Sequence, residues 1–376
     1  FRDLISDQKK MADIQDLSLD DLLPRGRFVK DTLKLMSDKR IFISGAGGSI
    51  GSEITRQLLD SNPKSIILFD ISEYNLFQLE RECLAQKASA NLSTKIIPIL
   101  GDIKDSKNLS FVFKKYQVDD VFHAAAYKHV PLVEDVNNII KASENNVLGT
   151  LNLANISIEQ KVKSFVMVST DKAVRPSNIM GASKRMSEMI IQSLNKQQSC
   201  TQFSMVRFGN VINSSGSVIP TFLDQISNGG PVTVTHRDVT RYFMTIPEAS
   251  NLVLQAAQMS NGGEVFILDM GEQLKVYDLA KKLIHLSGRN IASKFGGDGI
   301  EIVEVGLRPG EKMYEELLIS GDLKETENSK IFKSTESFPS EEIMTVVIKE
   351  IHQAIAHNNT DALIGIFKSN IEGYPS

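Results

Sequence analysis

The stretch from Arg40 to Asp70 leaves few folds open to this chain. Arg40-Ile-Phe-Ile-Ser44 is a short apolar run, and Gly45-Ala-Gly-Gly-Ser-Ile-Gly51 follows at once. Residues 53–59 then place Ile54, Leu58 and Leu59 on one helical face. Strand, glycine turn and helix in that order open a βαβ unit. Gly45, Gly48 and Gly51 are spaced G-x-x-G-x-x-G rather than G-x-G-x-x-G, yet the physics is shared. Glycine permits a tight turn and a close backbone approach, and the helix N-terminus at Ser49 and Ile50 offers free N–H groups to a pyrophosphate. A second apolar run, Ser65-Ile-Ile-Leu-Phe-Asp70, ends in an acid about 20 residues beyond the turn. A carboxylate there can accept both ribose hydroxyls of a dinucleotide and repels a 2′-phosphate, which selects NAD over NADP. The same Asp70 can instead cap the next helix, a task Ser72 can share. With the glycine turn in place before it, the ribose role is the expected one.

The alternation continues. Thr94–Leu100 reads as a third strand closed by Gly101-Asp102-Ile103, with Asp102 placed to meet an adenine amino group at the rim. Val118–His123 is a fourth, and the small Ala124 and Ala125 after it leave room for a flat ligand. A helix is expected over 137–160, then a fifth strand, Ser164–Ser169. Strands and helices alternate from residue 40 to about 205, which predicts an α/β fold, a Rossmann-type doubly wound parallel sheet with right-handed crossovers. From residue 206 the rhythm changes, so a smaller C-terminal lobe is expected over 206–330, with returns to the sheet domain (39–205) near 240–268. Residues 313–318 read as the start of a helix. Residues 1–38 read as an N-terminal arm or linker and 331–376 as a C-terminal helical segment.

Composition narrows the partners. A net charge of −4 argues against nucleic acid as the main partner, without excluding a local basic pocket for a diphosphate. Cys83 and Cys200 show no metal or C-x-x-C spacing, so the expectation is two buried thiols and no metal. No run reaches the roughly 20 apolar residues of a membrane helix, so the chain is not expected to span a bilayer itself.

The densest chemistry lies at Ser169-Thr-Asp-Lys-Ala-Val-Arg-Pro-Ser-Asn-Ile-Met-Gly-Ala-Ser-Lys184. Ligands of open α/β sheets sit at the carboxyl ends of strands. Thr170, Asp171 and Lys172 fall there, and Met180 and Lys184 share a helix face. Ser-Thr-Asp after a strand is also what a helix N-cap looks like.

These motifs, together with Ala126-Tyr-Lys-His-Val-Pro131, Val206-Arg-Phe-Gly-Asn210 and Arg308-Pro-Gly-Glu-Lys312, occur in an order that resembles the extended short-chain dehydrogenase/reductases. Within that superfamily the chain is similar to bacterial UDP-N-acetylglucosamine 4,6-dehydratases of the CapD-like, polysaccharide-biosynthesis type. The resemblance covers about residues 12–320. It implies bound NAD used as a temporary hydride store, C4 oxidation, loss of water across C5 and C6, and hydride return to C6. It assigns Asp171 as acid, Lys172 as base and Lys184 to the nicotinamide ribose. Lys128, Asn210, Arg241, Arg308 and Glu311 fall to the substrate side. The plain alternatives are a turn asparagine for Asn210 and a salt bridge between Arg308 and Glu311. His129 is not expected to be catalytic. Most of the superfamily has tyrosine where this chain has Met180, which leaves the base for the C4 hydroxyl open among Thr170, Asp171 and Lys184. Asp171 acting through a water is the preferred choice. The resemblance also implies a homo-oligomer, paired through the helices near Asn137 and Asn178. It further implies a longer parent anchored in the bacterial inner membrane, with this part on the cytoplasmic side. A UDP-sugar 4-epimerase is the nearest rival, and a non-catalytic dinucleotide sensor a remote one.

Overall fold

The structure, a computed structural model, describes residues 36–214, 216–292, 299–318 and 323–375. The arm expected over 1–38 therefore lies almost wholly outside the described residues. Among the described residues, contacts divide the chain into two units. The larger contains residues up to 208 together with 249–269 and those from 316 onward, and the smaller contains 209–248 and 270–315.

The larger unit is built on one sheet. In chain order its elements are β1 (Arg40–Ser44), α1 (Ser49–Leu59), β2 (Ser65–Asp70), α2 (Glu73–Ser89), β3 (Lys95–Leu100), α3 (Ser106–Tyr116) and β4 (Asp120–His123). Then come α4 (Val130–Val133), α5 (Ile139–Ser143), a π-helical segment (Glu144–Gly149), α6 (Thr150–Glu159), β5 (Ser164–Val168), a 3₁₀ turn (Asp171–Ala173), α7 (Ile179–Gln197) and β6 (Gln202–Arg207). The smaller unit contributes β7 (Asn210–Val211), α8 (Val218–Ser227), β8 (Val232–Val234), β9 (Thr240–Arg241) and β10 (Phe243–Met244). After α9 (Ile246–Met259) and β11 (Val265–Leu268) it resumes with β12 (Leu274–Lys275), α10 (Val276–Leu286) and β13 (Ile302–Glu304). The chain then gives β14 (Lys324–Glu325), β15 (Ile331–Ser334), α11 (Glu341–Ala356) and α12 (Thr360–Asn370).

The sheet runs β14-β15-β11-β6-β5-β4-β1-β2-β3. All neighbours from β3 to β11 are parallel, and β15 and β14 add an antiparallel edge. Strand order reverses between β1 and β4, so the glycine turn leaves the sheet at its topological switch point. Parallel strands covered on both faces read as unbroken apolar runs, and β2 is buried at every position. One apolar cluster joins Phe42, Phe113, Phe165 and Phe203 with Leu153 and Ile267. A second joins Met180, Met186 and Ile190 of α7 to Ile139, Leu151, Met344, Ile351 and Phe367. The smaller unit has its own core around Phe222, Val232, Phe243, Leu279 and Ile300. Among the described residues no helix is long and apolar enough to cross a membrane.

Four expectations change. The helix read over 137–160 is three pieces, because Asn145 and Asn146 sit in the π-helical segment and Asn146 bonds to neighbouring chain instead of continuing a regular ladder. No helix starts at 313. The Met313 carbonyl accepts from the Thr240 N–H, and the Glu315 carbonyl accepts from Gln273, so these groups are committed to tertiary partners. Cys83 is buried but Cys200 is exposed, in the turn between α7 and β6 where Gln198 takes its N–H. The stretches 249–269 and 316–330 belong with the sheet and not with the smaller unit, because β11 pairs with β6 and β15 with β11. The face of α5 and α7 proposed for pairing with a second copy is packed in this chain against α11 and α12.

Four charged side chains meet inside the larger unit. Arg207 is fully buried, bonding Glu188 at 2.6 and 2.8 Å and Glu336 at 2.6 and 2.8 Å. Arg185 bridges the same two carboxylates at 3.1 and 3.0 Å. Removing one partner of such a set strands buried charge. We expect Arg207→Leu to lower the unfolding free energy by about 3–5 kcal/mol in denaturant titrations. A cost below about 1 kcal/mol would show that the cluster is not held as described.

Candidate active site

The glycine turn is shaped by close approach. Gly45 has a φ of +65°, and a β-carbon on it would lie 2.6 Å from the Ala125 nitrogen. A β-carbon on Gly51 would lie 2.1 Å from the Gly45 carbonyl oxygen. Gly48 differs: a β-carbon there would meet only that carbonyl, at 3.2 Å, and otherwise open space. Gly48 is also the N-cap of α1 and brings no side-chain cap, so the first N–H groups of the helix at Ser49 and Ile50 lack that competitor. A bare helix N-terminus beside open space fits the pyrophosphate of a dinucleotide.

Asp70 ends β2 and takes the Gly47 N–H on one oxygen and the Ser72 N–H on the other, each at 2.8 Å. It thus fastens the turn. An ionised carboxylate has about four acceptor sites, so these bonds leave capacity for ribose hydroxyls. Ser72 caps α2, its hydroxyl accepting the Asn75 N–H. Asp102 is bound at 2.6 Å by its neighbour Lys104, while Ile103 is buried against Gly149. Ala124 and Ala125 back onto Gly45.

At the end of β5, Thr170 donates to Asp171 Oδ1 at 2.9 Å, and Lys172 Nζ donates to the same oxygen at 2.9 Å. Asp171 is completely buried, and its second oxygen, Oδ2, has no hydrogen-bond partner. Burial without a partner is costly for a carboxylate oxygen, so this atom marks a place shaped for something else. The turn is held tightly against α7: a β-carbon on Gly181 would lie 2.2 Å from the Lys172 carbonyl oxygen. Asn178 caps α7 through the Gly181 N–H at 2.8 Å. Met180 is buried in the α7 apolar cluster. Lys184 Nζ donates to the Val168 carbonyl at 2.8 Å, and burial pushes it down to about 8. Lys128 is pushed down by partial burial and then by the charge of Lys172. His129 lies beside it, lowered by burial and then by Lys128.

Two residues unforeseen in the sequence organise this region. Asn146 accepts the Tyr127 N–H at 2.8 Å, donates to the Tyr127 carbonyl at 2.9 Å and donates to Ser183 at 3.0 Å. It therefore grips the residues just before Lys128 and Lys184. His123 bonds Ser44 at 2.7 Å and Thr150 at 2.8 Å, and Thr150 spends its proton on the Asn146 carbonyl. His123 must then donate through Nε2 and accept through Nδ1, a neutral tautomer. Complete burial and then the Lys184 charge hold it at about 3.

In the smaller unit, Asn210 pairs β7 with β10 through its N–H to the Tyr242 carbonyl. Arg241 is buried, with its guanidinium at 2.9 Å from Glu311 and donating to the Thr240 and Met313 carbonyls. Glu311 also accepts from Thr235 and from the Arg308 main-chain N–H. The expected Arg308–Glu311 contact thus runs through the backbone, and the Arg308 side chain is exposed. Among the described residues no group of three or more His, Cys, Asp or Glu side chains could hold a metal ion.

A family model described as "Polysaccharide biosynthesis protein" matches residues 41–336. The chain belongs to that family. It is 48% identical over 326 residues to the capsular polysaccharide biosynthesis protein CapD of Staphylococcus aureus, covering 86% of this chain and 53% of that protein. This family member spans about half the length of the curated relatives it matches. Among solved structures, Pen from Bacillus thuringiensis is 33% identical with a TM-score of 0.71, over 84% of this chain and 98% of Pen. The dTDP-glucose 4,6-dehydratase DesIV from Streptomyces venezuelae, solved with NAD, shares the fold at 23% identity. Its TM-score is 0.60, over 74% of this chain and 88% of DesIV.

The buried Lys184 yields a pH dependence. Its folded value near 8 lies below the ordinary 10.5. Below pH 8 both states are protonated and the folded state carries the full cost of the buried charge. Between 8 and 10.5 the folded state sheds its proton first and the cost is relieved. In cofactor-free protein, stability relative to Lys184→Met should rise by up to about 3 kcal/mol across that window, read by denaturant unfolding at each pH. A flat difference would place the amine in water.

Proposed function

We propose that this chain is the catalytic part of an NAD-dependent UDP-N-acetylglucosamine 4,6-dehydratase. The observation that carries the reading is Asp171. One of its oxygens is saturated by Thr170 and Lys172, and the other is buried and open. Epimerisation at one carbon needs a single proton acceptor. Elimination of water needs an acid for the leaving hydroxyl and a base for the carbon-bound proton, and a carboxylate bonded to an amine supplies both.

When bound at the glycine turn, NAD would take a hydride from C4 and give it back at C6. The chain's own residues carry the protons. Asp171, ionised, accepts the C4 hydroxyl proton through a water on Oδ2. The 4-keto group acidifies C5, and Lys172 as a neutral amine takes the C5 proton. Asp171 returns its proton to the C6 hydroxyl, which departs as water. Lys172 gives its proton back to C5. Asp171 ends ionised and Lys172 neutral, ready for another turn. Repulsion from Lys128 favours loss of a proton from the lysine pair. Lys184 holds the nicotinamide ribose. Met180 cannot exchange a proton, and the Thr170 proton is spent on Asp171, which leaves Asp171 for C4. Arg308 is the best-exposed guanidinium for the diphosphate. Arg241 and Glu311 brace each other and serve the same side.

The test is incubation with UDP-N-acetylglucosamine in deuterated water, followed by mass spectrometry and proton NMR. Loss of one water with deuterium at C5 is expected. Asp171→Asn should abolish NADH formation on substrate addition, and Lys172→Met should slow turnover at least about a hundredfold. A C4 epimer of unchanged mass would assign the chain to the epimerases instead. No reaction with NAD bound would reject this substrate.

A further inference from the structure

The turn that carries Asp171 and Lys172 leaves through Arg175, a non-glycine residue with a φ of +39° placed directly before Pro176. Few side chains rest in that conformation unaided, and such strain persists only where surroundings hold it. Two contacts do so from far along the sequence. Glu316 receives the guanidinium at 3.1 and 3.2 Å, an exposed pair of small worth. The second contact comes from the segment after α12. Gly373, with a φ of +81°, lies so close that a β-carbon on it would be 2.8 Å from Arg175 Cβ, 3.0 Å from Cγ and 3.1 Å from Cα.

The next residue reaches the other end of the turn. Glu134 accepts the Ile179 N–H at the start of α7, and burial raises its pKa. Tyr374 lies near that carboxylate: its phenol is pushed up to about 12 by burial and then by the Glu134 charge. Its ring meets Phe367 edge-on at 6.4 Å, and its N–H closes a turn onto the Ile371 carbonyl. Ile371 is buried in the same apolar cluster as Ile179 and Met180. Four consecutive residues thus touch both ends of the stretch from Arg175 to Ile179.

We propose that the segment Ile371–Tyr374 is a strap that positions the Asp171–Lys172 turn, with Gly373 as the positioning residue that locks Arg175. It acts through Arg175 and touches no substrate. The catalytic half of this inference rests on the dehydratase reading; the mechanical half does not.

Amide hydrogen exchange on the cofactor-free chain tests the mechanical half without any activity. Gly373→Ala should speed exchange over residues 172–181 about tenfold or more while leaving β1 and β4 protected. In an Arg175→Gly background, where the side-chain atoms in the way are gone, the same substitution should add little. Unchanged exchange over 172–181, an equal rise throughout the sheet, or a full effect in the Arg175→Gly background would each overturn the strap. In the turnover assay, Gly373→Ala should lower kcat several-fold with KM for the nucleotide sugar unchanged, because placement of the acid and base is disturbed and binding is not. Loosened exchange with wild-type kcat would keep the contact and remove its catalytic meaning. If wild type itself converts no nucleotide sugar, the dehydratase reading fails while the exchange result still decides the strap.

Discussion

Much of the larger unit depends on a neutral set of four buried charges. Arg207 closes β6, Glu188 and Arg185 lie on α7, and Glu336 follows β15. Burial alone would raise the Glu188 carboxyl, but Arg207 and then Arg185 outweigh it and hold it at about 2. Taking such ions out of water costs several kcal/mol each, so the set is tolerable only with near-complete pairing. Here two guanidinium groups meet two carboxylates, and Ser169 adds a bond to Glu188 at 2.6 Å. Ser169 directly precedes Thr170 and Asp171, and Arg185 directly follows Lys184. The cluster therefore fixes the strand end and the helix from which the candidate site projects, and it ties both to the antiparallel edge of the sheet.

On that frame, glycines set distances that no side chain would allow. Gly51 lets α1 start against the Gly45 carbonyl, and Gly45 lets the turn lie on the Ala124–Ala125 backbone. Gly181 lets α7 come down on the Lys172 carbonyl. The first two shape a place for a pyrophosphate, and the third presses the acid–base turn against the helix that carries Lys184. Each is a packing constraint whose consequence is positional, which is why the same residue type recurs at three separate corners.

What the sequence made legible was whatever short-range pattern encodes. The apolar runs at β1, β2 and β5 and the turn at Gly45–Gly51 needed only neighbours in sequence, and the structure has them there. Long-range partners escaped. Nothing near Arg207 announces Glu336, although Arg185 and Glu188 are spaced for a helical pair. Asn146 looked like one more residue of a helix, because a π-helical segment leaves no periodic signature. Residues 313–318 carried helix-like spacing, but their carbonyls were claimed by Thr240, Arg241 and Gln273. Asp70 was read as a ribose ligand or a helix cap, yet its observed bonds go to the backbone of the glycine turn and to Ser72, a third use that spacing alone does not distinguish. For Asp171 and Lys172 the sequence gave types and place, while the open Oδ2 that makes the pair chemically pointed is a matter of three dimensions.

The burial of Met180 bears on how labour is divided in the proposed reaction. In a site with tyrosine at this position, one phenol near the ribose lysine takes the hydroxyl proton, and a nearby carboxylate is free to act only as acid. Here the methionine is turned into the apolar cluster with Ile139, Met344 and Phe367. Lys184 has one proton committed to the Val168 carbonyl. The same carboxylate must then receive one proton and later deliver it, so the two half-reactions are joined through a single group. Such a group works best if solvent cannot exchange it between steps, and Asp171 is the fully buried member of the pair. Lys172, partly exposed, is the member from which exchange with water reaches the substrate carbon. On this argument, the unlike exposure of two adjacent residues separates a retained proton from an exchangeable one.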